Sequence, residues 1–144
     1  MTNVKRYGLI VCIAYGVIGA TLALFAQQLK PTPAAAVYSE AQASRGEALY
    51  AANCAQCHTP TLERSPLAPA LTGPAFLARW TTDKPLSELF DYMRSSMPLN
   101  SPGGLSAQQN ADLLAFLLKK AGYPAGKSDL QSTSAQLASV KVAK

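Results

Sequence analysis

The sequence predicts an all-α fold with a hydrophobic helix at its N-terminus. Several segments place apolar side chains three and four positions apart, which is the spacing of one helix face. No run of alternating β-branched residues, the pattern typical of a strand, occurs anywhere in the chain. The 144 residues suffice for one domain, and a hydrophobic fraction of 49% against 15% charged residues indicates that most of the chain can fold.

The net charge of +5 belongs mainly to the N-terminal part of the chain. Of the thirteen Lys and Arg residues, Lys5, Arg6 and Lys30 precede the first acidic residue, Glu40, and the remaining ten face eight acids. The basic residues form no stripe with interleaved aromatic side chains, which a nucleic-acid-binding surface would need. We therefore expect no nucleic-acid partner.

The first segment is an uncharged stretch of twenty residues, 7–26. This length suffices for a transmembrane helix, and Lys5 and Arg6 in front of it would stay in the cytoplasm. A cleaved signal peptide is the alternative, because it also begins with positive charge, although its apolar core is usually only about 7–15 residues long. We interpret residues 1–26 as a membrane anchor or a signal peptide, and either one places the rest of the chain across the inner membrane.

The next segment, residues 27–43, mixes Pro, Ala and Gln without apolar periodicity and is predicted to be a linker. A helical pattern starts at Ser44, which can cap the helix, and Glu47 follows at the spacing of a capping box. After this helix, residues 59–74 contain four prolines and are predicted to form an irregular loop.

A short helix is predicted over residues 75–80, and a longer one begins near Pro85, a residue often found in the first turn. The apolar residues of this longer helix fall on one face at positions 0, 3, 4 and 7: Leu86, Leu89, Phe90 and Met93. Residues 95–105, rich in Ser, Pro and Gly, are predicted to form the following loop.

The last predicted helix opens with Ser106 and Gln109 as a capping box and stops at Gly122. The side chains that it is expected to bury are Leu113, Leu114, Phe116 and Leu117. Beyond Pro124 the chain is rich in Ser, Gln, Ala and Lys, and residues 125–144 are predicted to be a disordered tail.

The motif that carries chemistry consists of Cys54, Cys57 and His58. The spacing Cys-x-x-Cys-His is the signature of covalent c-type haem attachment. Two thiols three residues apart at the end of a helix lie on one side, so both can form thioethers with the haem edge while the next residue points its imidazole at the iron. His58 is the single histidine of the chain. The motif therefore predicts one covalently bound haem c with its iron.

Three alternative uses of these cysteines fit the sequence less well. A thioredoxin-like redox pair belongs in a βαβ context, which is absent here. A structural zinc site needs four ligands, and outside residues 7–26 the chain has no further Cys or His to complete the three. A disulfide between Cys54 and Cys57 would close a very small loop and would stabilise the protein little.

An iron that only carries electrons is expected to hold six ligands, so that no position is open to oxygen. Met paired with His fills both axial positions and raises the reduction potential, and a thioether is a soft donor suited to haem iron. Met93 continues the apolar face of its helix and is more simply a core residue. Met97 precedes Pro98, which disfavours helical geometry and moves it into a loop. We predict Met97 as the ligand, with Met93 as the alternative.

Several shorter motifs surround the haem motif, and together they extend over the 80 residues 45–124. They are Arg45-Gly46-Glu47-x-Leu49-Tyr50, Ala68-Pro69-Ala70-Leu71, Met97-Pro98 and Leu113-x-Ala115-Phe116-Leu117. In this combination the sequence resembles a class I monohaem cytochrome c of the bacterial periplasm. The resemblance implies a small cytochrome c fold over residues 44–124, with three to five helices around one covalently bound haem. It also implies that the first helix packs on the last, where Gly46 lets Phe116 approach closely.

The resemblance implies further haem contacts. The backbone carbonyl at Pro69 is expected to accept a hydrogen bond from the ligand imidazole. Trp80 could donate its indole N–H to a haem propionate, or it could simply pack in the core. The residues expected to wall the crevice, with ordinary core packing as the alternative, are Tyr50, Leu71, Phe76 and Leu99. The arginines expected to be solvated, any of which could face a propionate, are Arg45, Arg64, Arg79 and Arg94.

These features predict a single-electron carrier with His/Met ligation that passes electrons between redox proteins, a dehydrogenase or an oxidase, on the periplasmic side of the bacterial inner membrane. No nucleophile, acid–base pair or substrate cleft is visible, so we expect neither enzymatic activity nor a small-molecule substrate. The expected docking patch is the haem edge rimmed by Ala55, Gln56 and residues 97–99. Two alternatives stay open: a haem-bearing subunit of a larger membrane or dehydrogenase complex, and a haem sensor with an open iron position.

Overall fold

The computed structural model describes residues 36–142, which contain six helices. They are α1 (Glu40–Asn53), α2 (Ala55–His58), α3 (Gly73–Trp80), α4 (Leu86–Ser96), α5 (Ala107–Lys120) and α6 (Ser134–Leu137). This part of the chain has no β-strand and only two isolated bridges, Ser39 with Gly126 and Pro85 with Lys141. The all-α prediction is therefore confirmed for residues 36–142.

The predicted hydrophobic helix and the anchor or signal peptide of residues 1–26 lie outside the described residues. Within residues 36–142, no helix combines the length and the apolar character that crossing a bilayer requires.

The first helix begins earlier than the sequence predicted. Its N-cap is Ser39, whose hydroxyl accepts a hydrogen bond of 3.0 Å from the N–H of Gln42. Ser44 instead lies inside the helix, where its hydroxyl donates to a carbonyl one turn earlier. Gln42 and Ala43 are fully buried, so the end of the predicted linker 27–43 belongs to the domain. The spacing Ser39-x-x-Gln42 is a local capping signal that the sequence analysis passed over, whereas the burial of the Gln42 side chain depends on Leu130, far along the chain.

The central contact of the domain is the packing of α1 on α5 at Gly46. A Cβ atom added at Gly46 would lie 1.9 Å from the carbonyl oxygen of Asp112 and 2.9 Å from the Cβ of Phe116. One turn later, the rings of Tyr50 and Phe116 pack with centroids 5.2 Å apart. The close approach of Phe116 to Gly46 that the resemblance implied is confirmed.

The two amphipathic helices α4 and α5 match the sequence pattern. Ser106 and Gln109 form the predicted capping box, with side-chain to backbone distances of 3.2 and 2.8 Å. After α5, Gly122 takes a φ of 82°, a left-handed conformation that ends the helix. The predicted inward faces are buried in both helices: Leu86, Leu89, Phe90 and Met93 in α4, and Leu113, Leu114, Phe116 and Leu117 in α5.

The C-terminal segment is folded where the sequence predicted a disordered tail over residues 125–144. Residues 125–142, which we call the C-terminal strap, bury Leu130, Leu137 and Val142 and contain α6, which packs against α4. The composition was misleading because a strap needs only a few apolar side chains when each enters a groove of an existing core. The prediction of disorder is therefore wrong for residues 125–142.

Candidate haem site

A cavity of about 790 Å³ opens in the domain, and its mainly apolar lining comes from α1, α2, α3, α4, α5 and the loops between them. The lining includes every residue that the sequence selected as a haem contact: Tyr50, Cys54, Cys57, His58, Pro69, Leu71, Phe76, Trp80, Met97 and Leu99. The fold thus brings together residues from distant parts of the sequence. Their individual roles toward haem stay predictions.

The haem motif forms one tight turn directly after α1. The N–H of Cys54 donates to the last turn of α1, at 2.9 Å from the carbonyl of Tyr50. The carbonyl of Cys54 in turn accepts from the N–H groups of Cys57 and His58, at 3.1 and 2.9 Å. These bonds fold the motif against the cavity, so that both sulfur-bearing side chains and the imidazole line it.

The imidazole of His58 is oriented by the loop that follows it. Its Nδ1 lies 2.9 Å from the carbonyl oxygen of Pro69, where the resemblance predicted a hydrogen bond. Because a carbonyl oxygen can only accept, Nδ1 carries the proton in this bond, and in the neutral imidazole this tautomer leaves the lone pair on Nε2. A neutral imidazole with a fixed ring and a free Nε2 is the form that binds iron.

Tyr50 contacts the motif from the side of α1. Its hydroxyl lies 2.6 Å from the carbonyl oxygen of Thr59 and 3.1 Å from that of His58, so it can donate to either of these two consecutive carbonyls. Burial, with a smaller contribution from Cys54, raises the pKa of the Tyr50 phenol to about 12, which keeps the donor proton in place at neutral pH. Tyr50 therefore positions the motif as well as lining the cavity.

Ser65 has a role that the sequence reasoning missed. Its hydroxyl donates to the carbonyl of Cys57 at 2.6 Å and accepts from the N–H groups of Leu67 and Ala68, both at 3.1 Å. These bonds join the motif to the loop that carries Pro69. The sequence signal was a serine in a Pro-rich turn, a position where hydroxyls often bond the backbone two or three residues on.

The environment of Cys54 disfavours its use as a redox nucleophile. Burial, with a smaller contribution from Cys57, raises the pKa of Cys54 to about 11, so a free thiol at this position is protonated at neutral pH and a poor nucleophile. Cys54 and Cys57 form no disulfide in the described part of the chain. Residues 36–142 also contain no group of three or more His, Cys, Asp or Glu side chains that could hold a metal ion.

The charges that line the cavity are those of Arg64 and Arg79, and no acidic residue of the described chain lies among the lining residues. Neither arginine forms an ion pair within residues 36–142; the guanidinium of Arg79 lies over the Trp80 ring, 4.9 Å from its centroid. An apolar cavity with two unpaired cations fits an apolar macrocycle that carries two propionates. The residues present therefore fit a haem.

The other two arginines expected to be solvated are engaged elsewhere. Arg45 binds two carboxylates, those of Asp112 and Asp129, at 3.0 and 2.6 Å. The guanidinium of Arg94 lies 5.5 Å from the ring centroid of Phe90. The Arg45 side chain is still 47% exposed, as expected for a solvated arginine, and the folded strap places Asp129 beside it.

Met93 and Met97 both line the cavity. Met93 is a buried residue of α4, whereas Met97 follows the last residue of the helix and takes an extended conformation, with φ −126° and ψ 151°. The Met97 N–H still donates to the carbonyl of Met93, at 3.0 Å. The predicted release of Met97 from helical geometry is confirmed, and its role as the iron ligand stays a prediction.

The remaining residues predicted to lie near the haem differ in how deeply they are buried. Phe76 is buried, whereas Leu99 is 73% exposed; both line the cavity, and their role as walls of a haem crevice stays a prediction. The Trp80 ring packs against Tyr92 with centroids 5.0 Å apart, which leaves both of its predicted roles open. Ala55 is half-buried and packs against the core, and its predicted place at the rim of the haem edge stays a prediction.

An all-α domain with a Cys-x-x-Cys-His motif facing a haem-sized cavity defines a c-type cytochrome domain. The family model described as cytochrome C oxidase, cbb3-type, subunit III, matches residues 41–117, which is more than half of the chain. The chain therefore belongs to this family of monohaem class I cytochrome c domains, which carry covalently bound haem c with iron and act in haem-based electron transfer.

Among solved structures, the chain is similar to the sulfane dehydrogenase SoxCD from Paracoccus pantotrophus, with 30% sequence identity and a TM-score of 0.51. The match covers 69% of this chain and 52% of the SoxCD chain. This chain therefore spans about half the length of that relative. No curated protein matches the sequence.

Proposed function

We propose that the protein is a single-electron carrier in which Cys54 and Cys57 attach the haem and His58 and Met97 are its axial ligands. It would pass electrons between redox proteins on the periplasmic side of the bacterial inner membrane. The observation that supports this proposal is the shared cavity: it is lined by the attachment motif, by an imidazole held at Nδ1 by a backbone carbonyl, and by a methionine outside the helix. When bound, haem c supplies one-electron oxidation and reduction at its iron.

The surrounding residues have three tasks in this proposal. Pro69 accepts from His58 and holds the imidazole in one orientation. Apolar side chains such as Phe76 limit the access of water, which tunes the reduction potential. Arg64 and Arg79 would neutralise the propionates, since they are cations in a lining to which the described residues contribute no acid.

The two methionines provide a matched pair of variants for testing the ligand. The oxidised wild-type protein is expected to have the weak near-infrared absorption of a sulfur–iron bond. Met97→Ala should abolish this band and Met93→Ala should retain it, although both replace a cavity-lining methionine. The reverse result would assign the ligand to Met93, and retention of the band in both single variants would exclude each of them as the sole sulfur donor.

The same variants separate the electron carrier from a haem sensor. With both axial positions filled, reduced wild-type protein is expected to bind carbon monoxide slowly or incompletely at neutral pH. Met97→Ala should bind it fast, because one axial position is then open. Fast, complete binding by the wild-type protein would favour the sensor.

A second candidate function is that of a permanent haem subunit in a larger oxidoreductase complex. The similarity to SoxCD, a sulfane dehydrogenase, favours this candidate, and a dehydrogenase is then the expected redox partner. Native mass measurement of the full chain purified from its own host distinguishes the two candidates. A single species of one chain supports the free carrier, and a stable complex with a redox enzyme supports the subunit.

The predicted location is open to direct testing. N-terminal sequencing of the protein from its host would find a start near Met1 if residues 1–26 are an anchor, and a later start if they are a signal peptide. Recovery of the haem-loaded protein from the cytoplasm would contradict the periplasmic location.

A further inference from the structure

We propose that the C-terminal strap, residues 125–142, is a brace that holds α4 and thereby keeps Met97 in position to bind the iron. This inference rests on the proposed function of Met97 as an axial ligand. The strap lies wholly beyond residues 41–117, the part of the chain that matches the cytochrome family, so it is an addition to the shared haem-binding unit of this family.

The need for a brace arises from how the two sides of the cavity are connected. The haem motif follows α1, and Met97 follows α4. Within residues 36–142, α1 and α4 do not pack against each other; α1 packs mainly on α5, while α4 packs on α6 of the strap, on α5 and, less extensively, on α3. The position of α4 relative to the haem motif therefore depends on these neighbours, and the strap is one of the two main ones.

The strap binds α1 through Gln42 and Arg45. The fully buried amide of Gln42 donates to the carbonyl of Leu130 at 3.0 Å and accepts from its N–H at 2.6 Å. Arg45 pairs with Asp129 at 2.6 Å, and the hydroxyl of the N-cap residue Ser39 also donates to Asp129. A buried amide that bonds both the N–H and the carbonyl of one residue fixes the strap to α1 in a single register.

The strap binds the start of α4 through its second half. The N–H of Leu86, the first residue of α4, donates to the carbonyl of Val140 at 2.9 Å. One turn later, the carboxylate of Asp91 accepts from the hydroxyl of Ser134 at 2.6 Å. Leu137 of α6 is fully buried, and α6 packs against α4.

These two attachments would act on the iron ligand through the stiffness of α4. An α-helix is a rigid rod with 1.5 Å rise per residue, so restraint of its first turns limits the motion of its last residue. A methionine that leaves the iron opens a position for external ligands. The brace therefore predicts that cutting either attachment lets an external ligand compete better with Met97, while the covalent haem stays in place.

The test measures the binding of imidazole to the oxidised, haem-loaded full-length protein, together with the near-infrared sulfur–iron band. Leu137→Ala removes the buried anchor of the strap on α4, Gln42→Leu removes the buried hydrogen bonds of the strap to α1, and the double variant combines both changes. Each single variant is expected to bind imidazole about fivefold more tightly or better. The double variant should bind no more tightly than the stronger single variant, because a brace fails once either end is free.

Leu118→Ala is the matched control. Leu118 is a buried leucine of α5 outside both the strap and the cavity lining, so its loss lowers global stability without cutting the brace. Its imidazole affinity is expected to stay at the wild-type value. If the double variant does not fold, the double variant Asp129→Asn, Ser134→Ala makes the same comparison. Its two substitutions remove exposed contacts of the strap and leave the buried ones in place.

The outcomes separate the brace from the ligand assignment. Unchanged affinity in the single variants, additive effects in the double variant, or an equal effect of Leu118→Ala would each overturn the brace. The wild-type spectrum is measured first: absence of the band, or its survival in Met97→Ala, overturns the ligand assignment and the brace together. A band that depends on Met97, with unchanged imidazole affinities in the strap variants, overturns the brace alone.

Discussion

Gly46 of α1 lies against the backbone of Asp112 in α5, so closely that any side chain at position 46 would collide with its carbonyl oxygen. The obstacle is backbone, which cannot turn aside as a flexible side chain can. The separation of the two helices is therefore set at this contact, and with it the position at which α1 delivers the haem motif to the cavity.

Gly46→Ala is expected to destabilise the protein by about 3 kcal/mol, the upper end of the usual cost of overpacking, because the helices must separate to admit the methyl group. Urea unfolding of the haem-loaded protein, followed by circular dichroism, measures this free energy. The control is Glu47→Ala, an exposed neighbour whose loss should change stability by no more than about 0.5 kcal/mol. Equal stabilities of Gly46→Ala and the wild type would contradict the close contact.

The sequence was sufficient wherever the determining information is local. Cys54, Cys57 and His58 identify the cofactor by spacing alone, and Met97 leaves its helix because a proline follows. The strap could not be predicted in this way. Its attachment depends on a hydrogen bond between residues 88 positions apart, Gln42 and Leu130, and a polar segment gives no local sign of such a partner.

Removing the attachment cysteines tests the identity of the cofactor. In a Cys54→Ala, Cys57→Ala double variant, all remaining haem should be lost on extraction with acidified organic solvent, because no thioether holds it. Cys12→Ala is the control, since it replaces the third cysteine of the chain and leaves the motif intact. Haem that resists extraction from the double variant would refute attachment at these two positions.

Ser65→Ala is expected to affect both stability and reduction potential. The loss of three hydrogen bonds should destabilise the protein by about 1–3 kcal/mol, because the carbonyl of Cys57 and two N–H groups lose their partner. The loosened loop should also weaken the bond from His58 to Pro69, which makes the imidazole less basic. A less basic ligand favours ferrous iron, so the potential should rise, by up to about 60 mV or tenfold in the equilibrium constant.

Redox titration of the haem-loaded protein measures this rise. Thr61→Ala is the control, because it removes a hydroxyl from the same loop that bonds only neighbouring loop residues. An unchanged or lower potential in Ser65→Ala would show that the loop does not act on the ligand.

The strap should contribute an acid-sensitive part of the stability. A hydrogen bond from Ser39, together with the bond and charge of Arg45, lowers the pKa of Asp129 below its usual value of 3.8. Its carboxylate therefore stabilises the fold above the unfolded-state pKa, and this contribution is lost as the pH falls through the lower folded-state pKa. Asp129 is largely exposed, so the effect is expected to be small.

Asp129→Asn is accordingly expected to lower the stability at pH 7 and to flatten its decline below about pH 4. Urea unfolding between pH 7 and pH 2.5 measures both. Asp83→Asn, which removes an acidic group outside the strap, is the control for the change in net charge. A decline in Asp129→Asn as steep as that of the wild type would contradict the role of this carboxylate.

Arg79 and Arg64 should determine part of the reduction potential. Both line the cavity and neither forms an ion pair within the described part of the chain. A positive charge at this position would disfavour the more positive, oxidised iron. Arg79→Leu and Arg64→Leu are therefore each expected to lower the potential by tens of millivolts, about half of the ~60 mV that corresponds to tenfold in the equilibrium constant.

Arg79→Lys should recover most of the loss because it restores the charge, although it lacks the planar group that stacks on Trp80. Arg94→Leu, on the face of α4 outside the cavity lining, should leave the potential near its wild-type value. Equal shifts in Arg94→Leu and Arg79→Leu would mean that the net charge of the protein, and not the cavity cations, sets the potential.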